Sequence, residues 1–245
     1  YYHSGMGGAV NTNSTLGSSN FDGTGQVTAK VNTTAGFSIL TYSGTGSAGT
    51  KGHGLGAAPQ AIITKRKSGG TEDWKVYHQD ILGGYFLKLN ATQVQTSNSD
   101  VYPNTAPTST VYSLGNHASV NGSGDTYVAY VFSEVEGYSK FGSYKGNASS
   151  DGSFIYTGFR PAWIMYKSNT SGSVGWYILD NTRNALNVVN KHLQANLVGS
   201  EQTDATADFL SNGFKFRTSD SGSNTDYDYV YFAFAESPFK NSRAR

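Results

Sequence analysis

The chain has 245 residues, a net charge of +1, only 14% charged residues and no cysteine. This nearly neutral balance gives no electrostatic footprint for nucleic acid or an anionic membrane, and the absence of cysteine excludes disulfides, thiolate metal sites and a cysteine nucleophile. The 30 glycines, 17 tyrosines and 13 phenylalanines are typical of many short strands joined by tight turns.

The first 35 residues are rich in Gly, Ser, Thr and Asn. Within them only residues 26–31 (QVTAKV) alternate like a strand. We predict that residues 1–35 form a leader, either a linker or the end of a preceding module, which is ordered by packing against its neighbours.

From residue 36 onward the chain repeats itself at an offset of 102 residues. Matched landmarks share this offset, and they include Gly56 and Gly158, Pro59 and Pro161, Lys65 and Lys167, and Trp74 and Trp176. A period of about 100 residues is the size of a single domain and is too long for a solenoid repeat. We therefore expect a tandem duplication, with one domain over residues 36–137 and a second over residues 138–245.

The first repeat contains six strand candidates separated by clusters of Gly, Asn, Pro or Ser. They cover residues 37–42, 61–65, 74–78, 85–90, 109–115 and 126–135. Such spacing is typical of a β-sandwich or barrel. The last segment has apolar residues on both faces, which predicts a central strand covered on both sides.

The second repeat has the same order of segments, with one ambiguous stretch at residues 182–197. Its Leu186, Val189, Leu193 and Leu197 have helical spacing, but the counterpart at residues 83–92 has the pattern of a strand. We expect a short helical turn, capped near Asp180, that leads into a strand.

The sequence contains no recognisable catalytic or metal-binding pattern. None of the five histidines lies within metal-ligand spacing of another histidine, and Glu134 and Glu236 end matched strands, where a solvated carboxylate is the simpler interpretation. We predict a non-enzymatic protein with no catalytic residue, no metal ligand and no cofactor.

Aromatic residues are the remaining candidates for binding, because flat rings can stack on sugar faces. Trp74 and Trp176 open strands at matched positions, which favours the core for both. The candidate glycan-binding residues are Trp163, Tyr166 and Tyr138.

Two phrases of the sequence point to a family. Residues 136–147 (EGYSKFGSYKGN) and 156–162 (YTGFRPA) are the most specific parts of a pattern that covers residues 36–245. The pattern resembles repeated β-rich modules in long structural proteins of tailed bacteriophages, notably marine and cyanobacterial phages, where they are labelled tail-fibre or virion proteins. Such modules are similar to concanavalin-type lectin sandwiches.

The expected fold is all-β, with two tandem antiparallel β-sandwiches of jelly-roll or concanavalin-like type. The resemblance implies a non-enzymatic structural protein at the virion surface, part of a tail fibre or a fibre-like appendage, with host-surface polysaccharide as a further contact. Its expected partners are other virion proteins and copies of itself, with a trimer favoured, and neither nucleic acid nor membrane. The alternative is a carbohydrate-binding or adhesion module of a bacterial extracellular protein, and a glycan depolymerase is a third hypothesis.

Overall fold

The computed structural model describes residues 18–237. This part of the chain is 41% strand and 2% helix, and its sheets are antiparallel, so the all-β expectation is confirmed. It divides into two compact units, the first from residues 18–88 and 95–134 and the second from residues 89–94 and 135–237. Residues 89–94 thus belong to the second unit although the first repeat encodes them.

The first unit contains ten strands and one short helix in the described residues. They are β1 (Ser18–Asn20), β2 (Val27–Asn32), β3 (Phe37–Ser43), β4 (Gly49–Gly52), β5 (Ala61–Arg66), β6 (Lys75–His78), β7 (Tyr85–Lys88), β8 (Thr96–Ser97), β9 (Val111–Leu114), α1 (Ala118–Asn121) and β10 (Thr126–Phe132). Eight strands form one sheet in the order β1-β2-β3-β10-β5-β6-β7-β8, and β4 pairs with β9. All six strands expected from the first repeat are present, and β10 is central, between β3 and β5.

The core of the first unit is built by the alternation of its strands. Leu40, Tyr42 and Ala129 from the large sheet cluster with Tyr112 and Leu114 of β9, and all five are buried. Burial of apolar surface contributes about 25 cal/mol per Å², so this sandwich-like contact stabilises the first unit.

The predicted leader is in part a component of the first unit. Residues 27–31 of the predicted strand form most of β2, which pairs with β3, and β1 pairs with β2 on the other side. Between these two strands, Gly25 pairs with Lys51 of β4, and the amide of Thr24 donates to Thr50 Oγ1 at 3.0 Å. Residues 18–32 therefore form two strands and a connection that contacts β4, and they are not a linker. Residues 1–17 lie outside the described residues.

The second unit contains eight strands in the described residues. They are β11 (Ser139–Lys145), β12 (Phe154–Tyr156), β13 (Pro161–Ser168), β14 (Tyr177–Asp180), β15 (His192–Gln194), β16 (Ala207–Leu210), β17 (Gly213–Phe216) and β18 (Asp228–Ala235). The larger sheet has the order β11-β18-β13-β14-β15, and the smaller sheet has the order β12-β17-β16. An aromatic core, which includes Tyr166, Phe209, Phe214 and Tyr231, joins the two sheets.

The two units share their strand order. The five strands β3-β10-β5-β6-β7 of the first sheet match β11-β18-β13-β14-β15 of the second, and the pair β4-β9 matches β12-β17. Registers also agree: Tyr127 lies opposite Tyr42 in the first unit, and Tyr229 lies opposite Tyr144 in the second. Both rings of each pair are stacked, with centroids 5.2 Å apart in the first unit and 4.7 Å apart in the second.

Residues 182–197 contain a turn that leads to a strand, as expected, but no helix. Asp180 does cap a turn, since its Oδ1 accepts from the amides of Thr182 at 3.0 Å and Arg183 at 2.8 Å, but no helix follows. Leu186 is 81% exposed, so the apolar spacing does not mark a buried helical face. The strand expected after the turn is β15.

A buried asparagine ties two loops together in the first unit. Asn121 Nδ2 donates to the carbonyl oxygens of Ser47 at 2.7 Å and Gly115 at 3.0 Å, and Asn121 Oδ1 accepts from the amide of Thr45 at 3.0 Å. Buried amides are retained where every polar atom finds a partner, so this side chain fixes both loops.

The second unit has the same device at Asn224. Its Nδ2 donates to the carbonyl oxygens of Ser149 at 2.7 Å and Thr218 at 2.9 Å, and its Oδ1 accepts from the amide of Asn147 at 3.2 Å. Asn224 Nδ2 also lies 2.8 Å from Asn147 Oδ1. Ser47 and Ser149 are related by the offset of 102, as are Thr45 and Asn147, so the clamp occupies matched loops.

Candidate functional site

The three aromatic residues singled out by sequence have different environments. Trp163 of β13 and Tyr138 before β11 are half-buried, and both pack on Phe234, with ring centroids 5.7 Å and 5.9 Å away. Burial raises the pKa of Tyr138. Trp163 and Tyr138 therefore flank one ring on the second unit and keep part of their surface accessible.

Tyr166 is not a surface residue. Its side chain is fully buried, its ring packs against Phe216 at 5.1 Å, and its hydroxyl lies 2.8 Å from Ser223 Oγ. Burial also raises its pKa well above the usual value. Alternation along β13 turns Tyr166 to the core face of the sheet, so the expectation that it contacts glycan is corrected.

The two matched tryptophans differ in burial. Trp176 is fully buried and lies 6.1 Å from Phe232, as expected of a core residue. Trp74 is only half-buried, although it stacks on Tyr130 at the matched distance of 6.4 Å. The core expectation thus applies fully to Trp176 and in part to Trp74.

A lysine holds the loop before each of these tryptophans. Lys65 Nζ donates to the carbonyl of Glu72 and lies 5.8 Å from the Trp74 ring centroid. Lys167 Nζ donates to the carbonyl oxygens of Val174 at 2.6 Å and Thr92 at 2.8 Å.

Lys167 is the most deeply buried lysine in residues 18–237. Its side chain is fully buried, and desolvation lowers its pKa from 10.5 to about 8. Its contacts are the two carbonyl oxygens of Val174 and Thr92, one of which belongs to residues 89–94. Lys167 therefore links two segments of the second unit through hydrogen bonds to their backbone carbonyl oxygens.

Two of the buried histidines have structural roles in loops. His53 Nδ1 accepts from the amide of Leu55 at 3.2 Å, and His78 Nδ1 accepts from the amide of Asp80 at 3.2 Å. Burial lowers the pKa of His53. Neither ring is exposed, so neither is placed to exchange a proton with a ligand in solution.

His192 is the histidine with the least ordinary surroundings. It is 1% exposed, its Nδ1 lies 3.3 Å from Asp204 Oδ1, and its ring packs on Tyr177 at 4.8 Å. Desolvation lowers its pKa, and the carboxylates of Asp204 and Asp220 oppose that change. In residues 18–237, no group of three or more His, Cys, Asp and Glu side chains is arranged to hold a metal ion.

The matched glutamates at the strand ends lie in the polar surroundings expected from sequence. Glu236 is exposed, its Oε2 lies 3.0 Å from Arg160 Nε, and its Oε1 accepts from Asn181 Nδ2 at 3.1 Å. Glu134 is half-buried, and its amide donates to Gln60 Oε1 at 2.6 Å.

A shallow groove of about 560 Å³ crosses the first unit. Strands β2, β3 and β10 form its floor, and its lining is rich in hydroxyl side chains, among them those of Thr28, Thr41, Ser43 and Thr126. Lys67 lies at its margin and is exposed. The groove offers hydrogen-bonding groups, but its two tyrosines, Tyr42 and Tyr127, are buried and present no open ring.

Two exposed rings on β12 were not singled out by sequence. Phe154 is 45% exposed and Tyr156 is 63% exposed, while Ile155 between them is buried in the core. The signal was present, because a strand of the form F-I-Y sends its first and third side chains to one face. It was missed because phenylalanine and tyrosine, like isoleucine, are common core residues.

Comparison with known proteins places the chain in one family. No curated protein and no solved structure matches the chain. No helix within residues 18–237 has the length and apolar character needed to cross a membrane. The sequence profile described as "Domain of unknown function (DUF7483)" matches residues 11–238, and the chain therefore belongs to the DUF7483 family.

Proposed function

We propose that the chain consists of two tandem β-sandwiches of jelly-roll or concanavalin-like type that arose by duplication of one module. The shared strand order, the stacked tyrosine pairs and the two asparagine clamps support this proposal. The duplicated module would include β3 to β10 in the first unit and β11 to β18 in the second, with β1 and β2 as additions to the first.

The function proposed for this pair is that of a non-enzymatic structural protein at the surface of a phage virion, within a tail fibre or a fibre-like appendage. The observation that carries the proposal is the internal framework built twice. Part of it falls in residues 136–147, the phrase most similar to phage modules, which contains both Tyr144 of a stacked pair and Asn147 of a clamp. Repetition of a rigid module is a physical means to lengthen an appendage.

Immunogold electron microscopy tests the location. An antiserum against the chain is applied to phage particles whose genome encodes it and to uninfected host cells. We expect gold at a tail appendage of the particles and none on the uninfected cells. Label confined to bacterial surfaces would contradict the virion proposal and support the alternative, a bacterial carbohydrate-binding or adhesion module.

Self-assembly, with a homotrimer as the favoured state, is the second part of the proposal. In the described chain, β11 is a seven-residue strand at the edge of its sheet and pairs with β18 on one side. Long strand edges promote pairing with other chains, and closed symmetry is the usual outcome for identical copies. Light scattering should give three times the 26.2 kDa chain mass, whereas a monomer at micromolar concentration would contradict this part.

Contact with host-surface glycan is the third part, and it is supported by the exposed rings of Phe154 and Tyr156 in the second unit. A glycan array measures it directly. A polysaccharide-degradation assay separates binding from hydrolysis: we expect bound polysaccharide to keep its length, and a fall in its molecular mass would favour the depolymerase hypothesis instead.

A further inference from the structure

The outer face of the small sheet in the second unit has an unusual composition. Phe154 and Tyr156 stand on the same face of β12, two residues apart, and Gly213 of β17 pairs with Tyr156. A Cβ added at Gly213 would stand 2.9 Å from Phe154 Cζ, so the Phe154 ring lies close over this glycine. The result is a pair of exposed rings, one of which covers the buried Gly213.

Charged side chains with balanced signs border these rings. Lys215, which pairs with Phe154 across the strands, places its Nζ 2.9 Å from Asp151 Oδ1. Arg217 Nε lies 2.6 Å from Asp208 Oδ2. Lys215 and Arg217 keep further N–H donors and the exposed Asp151 keeps lone pairs, so the border can both donate and accept hydrogen bonds without a net charge.

The matched surface in the first unit is closed. Strand pairing aligns Thr50 with Phe154 and Gly52 with Tyr156, because β4 pairs with β9 as β12 pairs with β17. A Cβ at Gly52 would stand 2.0 Å from Asn20 Oδ1 and 3.1 Å from Asp22 Cβ, so the end of β1 and the turn after it fill this space. In the second unit the same positions carry aromatic side chains that remain accessible.

We propose that Phe154 and Tyr156 form a binding platform for a neutral saccharide chain of pyranose units. The apolar C–H face of a pyranose ring matches an exposed aromatic ring, and its hydroxyl groups match the paired Lys215–Asp151 and Arg217–Asp208 side chains. The rise of a strand places residues two apart about 6.6 Å from each other, which suits neighbouring sugar units. The balanced charge of the border favours a neutral chain over an acidic one.

This inference names the site of the glycan contact in the proposed function and rests on that part of it alone. The test is a glycan array with the full chain, followed by calorimetric titration of the strongest neutral oligosaccharide. Phe154→Ala and Tyr156→Ala are each expected to weaken affinity by about tenfold, and the double variant to abolish detectable binding. Tyr156→Phe keeps the ring and should bind within about threefold of the original chain.

Control variants separate this site from others. Leu186→Ala removes an apolar side chain that is 81% exposed in the same unit, and Trp163→Ala and Tyr138→Ala remove the rings singled out by sequence; all three should keep the affinity. Circular dichroism and thermal melting establish that each variant is folded. If both platform variants bind normally while Trp163→Ala does not, the glycan contact stands and the β12 platform is wrong.

The remaining outcomes also decide. If no glycan on the array binds the full chain, both the platform and the glycan part of the proposed function fail, while the virion location keeps its own test. If the double variant loses self-association in light scattering and glycan affinity is unchanged, β12 is an interface between protein chains and the inference is overturned.

Discussion

The β4–β9 pair of the first unit and the β12–β17–β16 sheet of the second have matched strands but different outer faces. In the first unit Gly25 and Thr24 cover the free edge of β4 by pairing with Lys51 and Thr50, and Asn20 covers its outer face at Gly52. In the second unit the matched strand carries exposed Phe154 and Tyr156. The inward residues keep the two units alike, so difference in function is expected on the outward face.

The matched tryptophans give the largest expected effect. Trp176→Ala removes a fully buried indole and should lower the free energy of unfolding by about 3–5 kcal/mol. Trp74→Ala removes a half-buried indole and should cost about half as much. Urea unfolding followed by circular dichroism measures both, and equal losses would show that burial does not separate the two positions.

The asparagine clamps give a smaller effect that should be equal in the two units. Asn224→Ala leaves the carbonyl oxygens of Ser149 and Thr218 without this donor, and we expect a loss of about 3 kcal/mol. Asn121→Ala should behave in the same way. Asn212→Ala changes an exposed side chain and serves as the control, with a loss below about 0.5 kcal/mol.

If only one clamp variant is destabilised, the two asparagine clamps are not equivalent, and the argument that the two units are copies of one module loses this support. Asn121 and Asn224 stand 103 positions apart, while Thr45 and Asn147 stand 102 apart. The two asparagines thus make the same kinds of hydrogen bond although their spacing differs by one residue from that of the loops they hold. Equal losses would therefore support the duplication proposal.

Most strands of the large sheets followed from sequence, because aromatic and branched residues alternate between turn signals there. Strands β4 (GTKG) and β1 (SSN) were missed, since glycine and serine carry no apolar alternation. Their pairing depends on partners distant in sequence, such as β9 for β4. Local patterns report burial and turns well, but they do not report which small residues gain a partner.

The candidate site was less predictable than the fold. Tyr166 and Trp163 lie three residues apart on β13 and therefore point to opposite faces of the sheet. Tyr166 is a core residue because its face packs against the second sheet. Phe154 and Tyr156 became distinct only when the structure left them uncovered. Exposure of an aromatic ring is a tertiary property, so sequence could name rings but could not rank them.

The buried Lys167 predicts a dependence on pH that belongs to the second unit. The pKa of Lys167 is about 8 in the folded chain, and the ordinary value of 10.5 applies to the unfolded chain. Between pH 8 and pH 10.5 the unfolded chain therefore binds more protons than the folded chain, so the free energy of unfolding rises with pH. From pH 8 to pH 10 the gain should be about 2 kcal/mol. The raised pKa values of buried Tyr144, Tyr166 and Tyr229 act in the opposite direction above pH 10, which sets the upper limit of the measurement.

Urea unfolding at several pH values, followed by tryptophan fluorescence, tests this dependence. Lys167→Met should remove most of the gain between pH 8 and pH 10, and the burial-lowered pKa values of Lys51 and Lys75 supply the remainder. The matched variant Lys65→Met leaves Lys167 in place and should retain the gain. A gain that is undiminished in Lys167→Met would show that another group is responsible.

The smallest expected effect concerns one backbone angle in the matched loops. Gly46 has φ of +70° and Ala148, at the offset of 102, has φ of +54°. A residue with a Cβ is strained in this left-handed region by about 1–2 kcal/mol, whereas glycine adopts it freely. Ala148→Gly should therefore stabilise the chain by about 0.5–1 kcal/mol after the added freedom of the unfolded chain is subtracted.

The reverse change, Gly46→Ala, should destabilise by about 1 kcal/mol, because its Cβ would also stand 3.0 Å from Ser123 Cβ. Calorimetric melting of the two variants and of Ala48→Gly, an exposed position in the same loop, makes the comparison direct. Stabilisation by Ala148→Gly beside destabilisation by Gly46→Ala would show that both loops require the same conformation, and a loss of stability in Ala148→Gly would show that the second loop has adapted to alanine.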